Sequence, residues 1–160
     1  MSNVSVINGT DRRDNVRRSV ELVISGSLDK LRAARSILVK PNLVHHQNQL
    51  ASTHVDAVRG VLDVIRAHTQ VPVFVGDASY YGTKAAFRNF GYDNLEREYD
   101  KVELIDLNDD ETVQGFFVTQ DGGRGEMRIS KTAFESDFTI SLANMKVHRD
   151  TGVTLATKNW

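Results

Sequence analysis

The sequence predicts an α/β domain with a mostly parallel, open sheet flanked by helices, and three observations predict it. Apolar runs of four to six residues alternate with longer stretches of helical period, the order produced when parallel strands are joined by crossover helices. The runs are rich in β-branched residues, which suits strands covered on both faces. Each of the later runs is followed by a small polar signature: Lys40-Pro41-Asn42, Gly76-Asp77-Ala78-Ser79, Asp106-Leu107-Asn108 and Ala143-Asn144-Met145-Lys146. In a parallel sheet those ends share one edge, where open α/β proteins place their ligand crevice. The expected architecture is therefore Rossmann-like, with four loops converging on one site.

The elements follow in order. Val4 to Ile7 reads as an opening strand. From Asp11 to Ile24, Val16, Val20, Val23 and Ile24 form one stripe with Arg12, Arg13, Arg17 and Arg18 largely off it, which predicts a surface helix. Ser36 to Lys40 is the next strand. Val55, Val58, Leu62 and Ile65 repeat the helical stripe after Thr53, whose hydroxyl is expected to cap the helix, and Asp56 favours its positive end. Val71 to Val75 is a strand ending at Gly76. A shorter helix is expected from near Thr83, burying Ala86, Phe87 and Phe90 before Gly91 ends it. Val102 to Leu107 is a strand, and Glu111 to Ile129 reads as a small β-hairpin insertion near 113–130. The signs are Phe116, Phe117 and Val118, then Gly122-Gly123-Arg124-Gly125, then Met127 and Ile129. Phe138 to Leu142 is the last strand before a dense polar segment.

Composition narrows the function. A length of 160 residues suits one domain with a sizeable core, so 1–160 is read as a single domain. Twenty Lys and Arg against twenty-one Asp and Glu give a formal charge of −1, without the basic excess of a nucleic-acid face. With no cysteine, a disulfide, a zinc-thiolate site and an iron–sulfur cluster ligated within this chain are excluded by chemistry. Any metal must be a cation held by His, Asp, Glu or other oxygen ligands, so a divalent cation stays open. No apolar stretch approaches the ~20 residues needed to cross a bilayer, and the amino terminus lacks a signal-peptide pattern. A soluble cytoplasmic protein is expected, with no membrane partner.

The segment from Lys146 to Trp160 concentrates the chemistry. Lys146, His148, Arg149, Lys158 and Asn159 offer charge, a titratable imidazole and donors, while Thr151-Gly152-Val153-Thr154 lets backbone and hydroxyl groups approach a ligand closely. Pro41 restricts Lys40 to extended backbone, which suits either a solvated strand end or a site. Asn42 closes a turn or meets a ligand; Asp77 caps a helix or holds a metal or hydroxyl. Asp106 and Asn108 read as a solvent-facing turn. Among the histidines, His45 and His46 are expected to be exposed, His54 lies at a helix start and His68 near a helix end. His148, two residues from Lys146, is the strongest candidate.

Together, ILVKPNLV, STHVDAVRGVLDVI, VFVGDASYYGTKAAFRNFGY and DFTISLANMKVHRDTGVTLATKNW resemble the uncharacterised family called domain of unknown function 362. Similar proteins look like α/β proteins with a K-P-N element, a G-D-S-like element and a K-x-H-x-x-T-G-V-T-L-x-x-K-N element. Several carry ferredoxin-like cysteine motifs elsewhere. The resemblance runs with gaps from about Ser36 to Asn159 and implies Lys40, Pro41, Asn42, Gly76, Asp77, Lys146, His148, Thr151, Gly152, Thr154, Lys158 and Asn159 as its shared positions. Val55 stands where many members have proline, and Ala78 replaces a usual serine. Because similar proteins continue well beyond the Lys158-Asn159 pair, this chain is expected to be an amino-terminal portion.

The resemblance brings no settled reaction, so the chemistry is argued from the residues. The leading expectation is an enzyme domain for a small anionic metabolite. Lys40, Lys146 and Lys158 supply positive charge, His148 exchanges protons near its ordinary pKa of ~6.5, and Asp77 orients it or holds a divalent cation. Asn42, Thr151, Thr154 and Asn159 contact the ligand, and Gly152 with the following amides forms an anion cradle if a helix begins near Thr151. Crowding could also make Lys146 or Lys158 nucleophilic. Neither the Walker nor the G-x-G-x-x-G spacing occurs, which disfavours nucleotides. The alternative is a cysteine-free scaffold or binding module serving an iron–sulfur redox partner. A third reading leaves the polar edge merely solvated. An uncovered sheet edge or apolar face would also favour a homodimer.

Overall fold

The structure, a computed structural model, describes residues 3–148, 152–156 and 159, with the backbone alone at 148 and 154. Helix α1 (Arg12–Ile24) begins at Asp11, whose side chain accepts from the Asp14 amide at 2.8 Å. Helix α2 (Leu28–Ala33) leads into strand β1 (Ile37–Pro41). Helix α3 (Val55–His68), β2 (Val73–Asp77), the short helices α4 (Thr83–Asn89) and α5 (Leu95–Glu98), and β3 (Val102–Asp106) follow. A hairpin of β4 (Thr112–Val118) and β5 (Arg124–Ser130), with α6 (Lys131–Glu135), lies in the crossover to β6 (Phe138–Leu142). Strands β7 (Lys146–His148) and β8 (Gly152–Thr154) form a small antiparallel pair.

The sheet order is β3-β2-β1-β6 and every pairing in it is parallel. This is the expected α/β fold, and its order is that of one half of a doubly wound sheet. The two inner strands carry the core: Ile37, Leu38, Val39, Val73 and Val75 are fully buried. On them packs the apolar stripe of α3, with Val58, Val61, Leu62 and Ile65 buried. Helix α1 lies outside α3 and has no buried residue, although Val16, Val20 and Ile24 touch the core. Gly60 allows that approach, since a Cβ there would stand 2.5 Å from the Arg13 carbonyl oxygen.

Two local expectations are corrected. Val4 to Ile7 forms no strand; Val4 and Val6 are almost wholly exposed and pair with no sheet edge, so nothing repays the order a strand demands. Thr53 does not cap α3. The cap is His54, whose Nδ1 accepts from the Asp56 amide at 3.2 Å, because the Thr53 hydroxyl is engaged over a longer range. It donates to the Leu142 carbonyl at 2.7 Å and accepts from the Asn42 amide at 3.0 Å.

Candidate functional site

Strand order places the site. The chain runs outward from β1 to β2 and β3, then returns to place β6 on the other side of β1, so the loops leaving β1 and β6 part at the sheet's carboxyl edge. Lys40 stands there on β1 opposite Ser141 of β6, and Asp77 closes β2. Both are buried, at 8% and 4% exposure. Burial of charge demands a partner, and the Lys40 Nζ lies 2.5 Å from Asp77 Oδ1 while Asp77 Oδ2 accepts from the Leu43 amide at 2.6 Å. Both carboxylate oxygens are thus engaged within the protein.

Asn159 fills the point where the loops part. Its Oδ1 accepts from Asn42 Nδ2 at 2.8 Å and from Lys40 Nζ at 3.3 Å. Its Nδ2 reaches the carbonyls of Lys40 and Pro41 and the Ser141 hydroxyl, each at 3.2 Å, so one carboxamide ties β1 to β6. Lys146 donates to Asn42 Oδ1 and to the Ala51 carbonyl. Asn144 Nδ2 donates to the Ser52 carbonyl at 2.7 Å, fastening the loop after β6 to the segment before α3. The five expected residues Asp77, Lys40, Asn159, Asn42 and Lys146 therefore form one connected polar chain.

Two depressions open on this edge, and Lys40 lines both. One, of about 260 Å³, is also bordered by Asp77, Ser79, Tyr80, Tyr81 and Asn159. The other, of about 610 Å³, reaches toward the hairpin and includes Asn108, Glu111, Arg128 and Ser130. Asp106 accepts from the Asn108 amide at 3.1 Å, the turn expected there. Ser79 was not singled out by sequence reasoning, though it sits in the signature after β2. Its amide donates to the Thr83 hydroxyl and its carbonyl accepts from Asn108, yet its buried hydroxyl has no partner among the described residues.

The rim also departs from expectation. His45 and His46 are half-buried rather than exposed: their rings stack at 5.0 Å, and His45 packs on Tyr81 at 4.9 Å. Tyr80 meets Tyr81 edge to face at 5.0 Å. The contact forms because the loop after β1 folds back on the loop after β2, where His46 Nδ1 lies 2.7 Å from the Tyr81 carbonyl.

Strand β7 carries Lys146 and the backbone of His148, paired with Thr154 and Gly152 respectively. Thr151, Lys158 and Arg149 lie outside the described residues, as do the side chains of His148 and Thr154. Gly152–Thr154, where a helix was considered, instead form β8 and pair with β7, with Gly152 at a positive φ of 74° that suits glycine. A helix-terminus anion cradle therefore does not form at Gly152. Among the described residues no group of three or more His, Asp or Glu is placed to hold a metal ion.

Residues 37–160 match the family described as domain of unknown function (DUF362), and the chain belongs to that family. It is 26% identical over 126 residues to a thylakoid-associated protein of Synechocystis. That match covers 77% of this chain and 37% of the relative, so the chain spans well under half of the relative's length. No solved structure matches it. No helix among the described residues is long and apolar enough to cross a membrane.

Proposed function

We propose that this chain is the binding core of an enzyme for a small anionic metabolite, seated at the carboxyl ends of β1, β2 and β6. One observation carries the reading: the Lys40 ammonium, buried at the point where the strand order reverses, borders both depressions. Two of its three hydrogens go to Asp77 and Asn159. An ammonium has three donors, which leaves one without a partner among the described residues and open to a ligand. In this reading Lys40 holds the anion, Asp77 holds Lys40 in place, and the segment bearing Lys146, His148 and Lys158 supplies proton transfer. The proposal places the protein in the cytoplasm. The Synechocystis relative is thylakoid-associated, so fractionating the native protein between soluble and membrane pools tests that part.

The binding part is tested by thermal unfolding with acetate and inorganic phosphate as probes. A ligand at ~100 times its dissociation constant stabilises by ~2.7 kcal/mol, which shifts the midpoint measurably. The wild type is expected to shift in a saturable way and Lys40→Met, verified as folded by circular dichroism, is expected not to. Equal shifts in both proteins would refute a role for Lys40. Ser79→Ala, which keeps the ion pair intact, checks the same cleft if Lys40→Met fails to fold, and is expected to weaken the response.

A further inference from the structure

We infer that the smaller cleft takes a planar aromatic ring bearing one carboxylate, with the carboxylate between Lys40 and Ser79 and the ring against Tyr80. This rests on the anion-binding reading and adds the chemistry of the ligand's other end. Three independent features support it. The Ser79 hydroxyl is a buried polar group without a partner among the described residues, in a residue 7% exposed that borders the same cleft as Lys40. Buried hydroxyls in native proteins are nearly always paired, and this one turns about a single bond to meet an acceptor. One ammonium hydrogen and one hydroxyl hydrogen offer one donor to each oxygen of a carboxylate.

The rim supplies the second feature. Tyr80 is 91% exposed, yet it is not a stray surface residue, because it ends a run of rings that passes through Tyr81 to His45 and His46. The run is anchored by His46 Nδ1 against the Tyr81 carbonyl at 2.7 Å and by Asn89 Nδ2 on the His46 carbonyl at 2.8 Å. Tyr80 touches Tyr81 in a T-shaped contact yet keeps nearly all its surface exposed, so ring surface of Tyr80 lies in solvent beside the cleft. A flat ring stacking there covers apolar surface and gains the quadrupole term of aromatic pairs. Size is the third feature. A dry cavity of about 150 Å³ accommodates benzene, so about 260 Å³ holds one ring and its acid group and is too small for a dinucleotide.

Isothermal titration with benzoate, cyclohexanecarboxylate and acetate separates the alternatives, since the three share one charge and differ in the ring. Benzoate is expected to bind about tenfold more tightly than acetate, with cyclohexanecarboxylate between them. Tyr80→Ala, at an exposed position that does not threaten folding, is expected to reduce benzoate to the level of cyclohexanecarboxylate and leave acetate unchanged. Ser79→Ala is expected to weaken all three alike. Equal affinity for benzoate and cyclohexanecarboxylate, or a Tyr80→Ala protein that still prefers benzoate, overturns the stacked ring. Equal affinity for all three overturns it while leaving the anion site standing, and no binding by any of them overturns both.

Discussion

Replacing Asp77 by Leu tests whether the Lys40–Asp77 pair holds the sheet's carboxyl edge together. The side chains are 11% and 6% exposed, the Nζ to Oδ1 distance is 2.5 Å, and the second carboxylate oxygen is the acceptor for the Leu43 amide. Removing one member of such a pair strands a desolvated charge, which costs about 3–5 kcal/mol. Against a total stability of ~5–15 kcal/mol for a domain, that is a large fraction. Lys40→Met alone leaves the carboxylate with one amide donor and is expected to cost a similar amount. The double variant Lys40→Met/Asp77→Leu strands no charge. It loses the Leu43 amide's acceptor and one donor to Asn159, which costs about 1–3 kcal/mol for the unsatisfied amide. The two single losses therefore exceed the double loss, and the coupling is expected to be at least ~2 kcal/mol. Urea denaturation of the four proteins, followed by far-ultraviolet circular dichroism, measures it. A coupling below ~0.5 kcal/mol, with single variants that each lose under ~1 kcal/mol, would show that water screens the pair and that the buried ammonium is not held as described.

Three further outcomes follow from the geometry. Asn159→Leu removes five hydrogen-bond contacts that join β1, β6 and Asn42, and at ~0.5–1.5 kcal/mol per neutral bond, not fully additive, chemical denaturation is expected to show a loss of roughly 2–4 kcal/mol. Gly60→Ala gains up to ~1 kcal/mol of helix propensity but sets a Cβ 2.5 Å from the Arg13 carbonyl oxygen. Because that neighbour is backbone, overpacking of ~1–3 kcal/mol wins, and a lower unfolding midpoint is expected; a stabilised variant would mean that α1 shifts freely. Asp137 accepts from the Arg35 amide and guanidinium, and the Arg35 contact holds its carboxyl below the ordinary 3.8, at about 2. A depressed folded pKa adds stability that is present above the unfolded value and disappears as pH falls through the folded one. Wild type is thus expected to outlast Asp137→Asn above about pH 4 and to converge with it toward pH 2. Parallel acid titrations of the two proteins check this.

The sheet edge was legible in the sequence, whereas Asn159 was legible as a member of the site but not as the residue that joins its strands. Lys40, Asp77 and Asn42 were found because a β-branched run followed by a polar signature fixes both the end of a buried strand and its direction, and parallel order then brings such ends together. Register, by contrast, is a property of pairs. Nothing local to Thr53 says that its hydroxyl will serve Leu142 and Asn42 rather than the helix it precedes; the competition is settled by where β6 lies. The same applies to the rings. His45 and His46 read as exposed because they lie in a polar loop leading into Gln47-Asn48-Gln49, and their partner Tyr81 arrives from the loop after β2. Asn159 was named as a ligand contact; its carboxamide bonds the backbone and side chains of the site, and the residue also borders the smaller depression. Asn159 thus joins β1 to β6 beside Lys40, and the depression it borders is lined as well by Ser79, Tyr80 and Tyr81, the residues on which the proposed site depends.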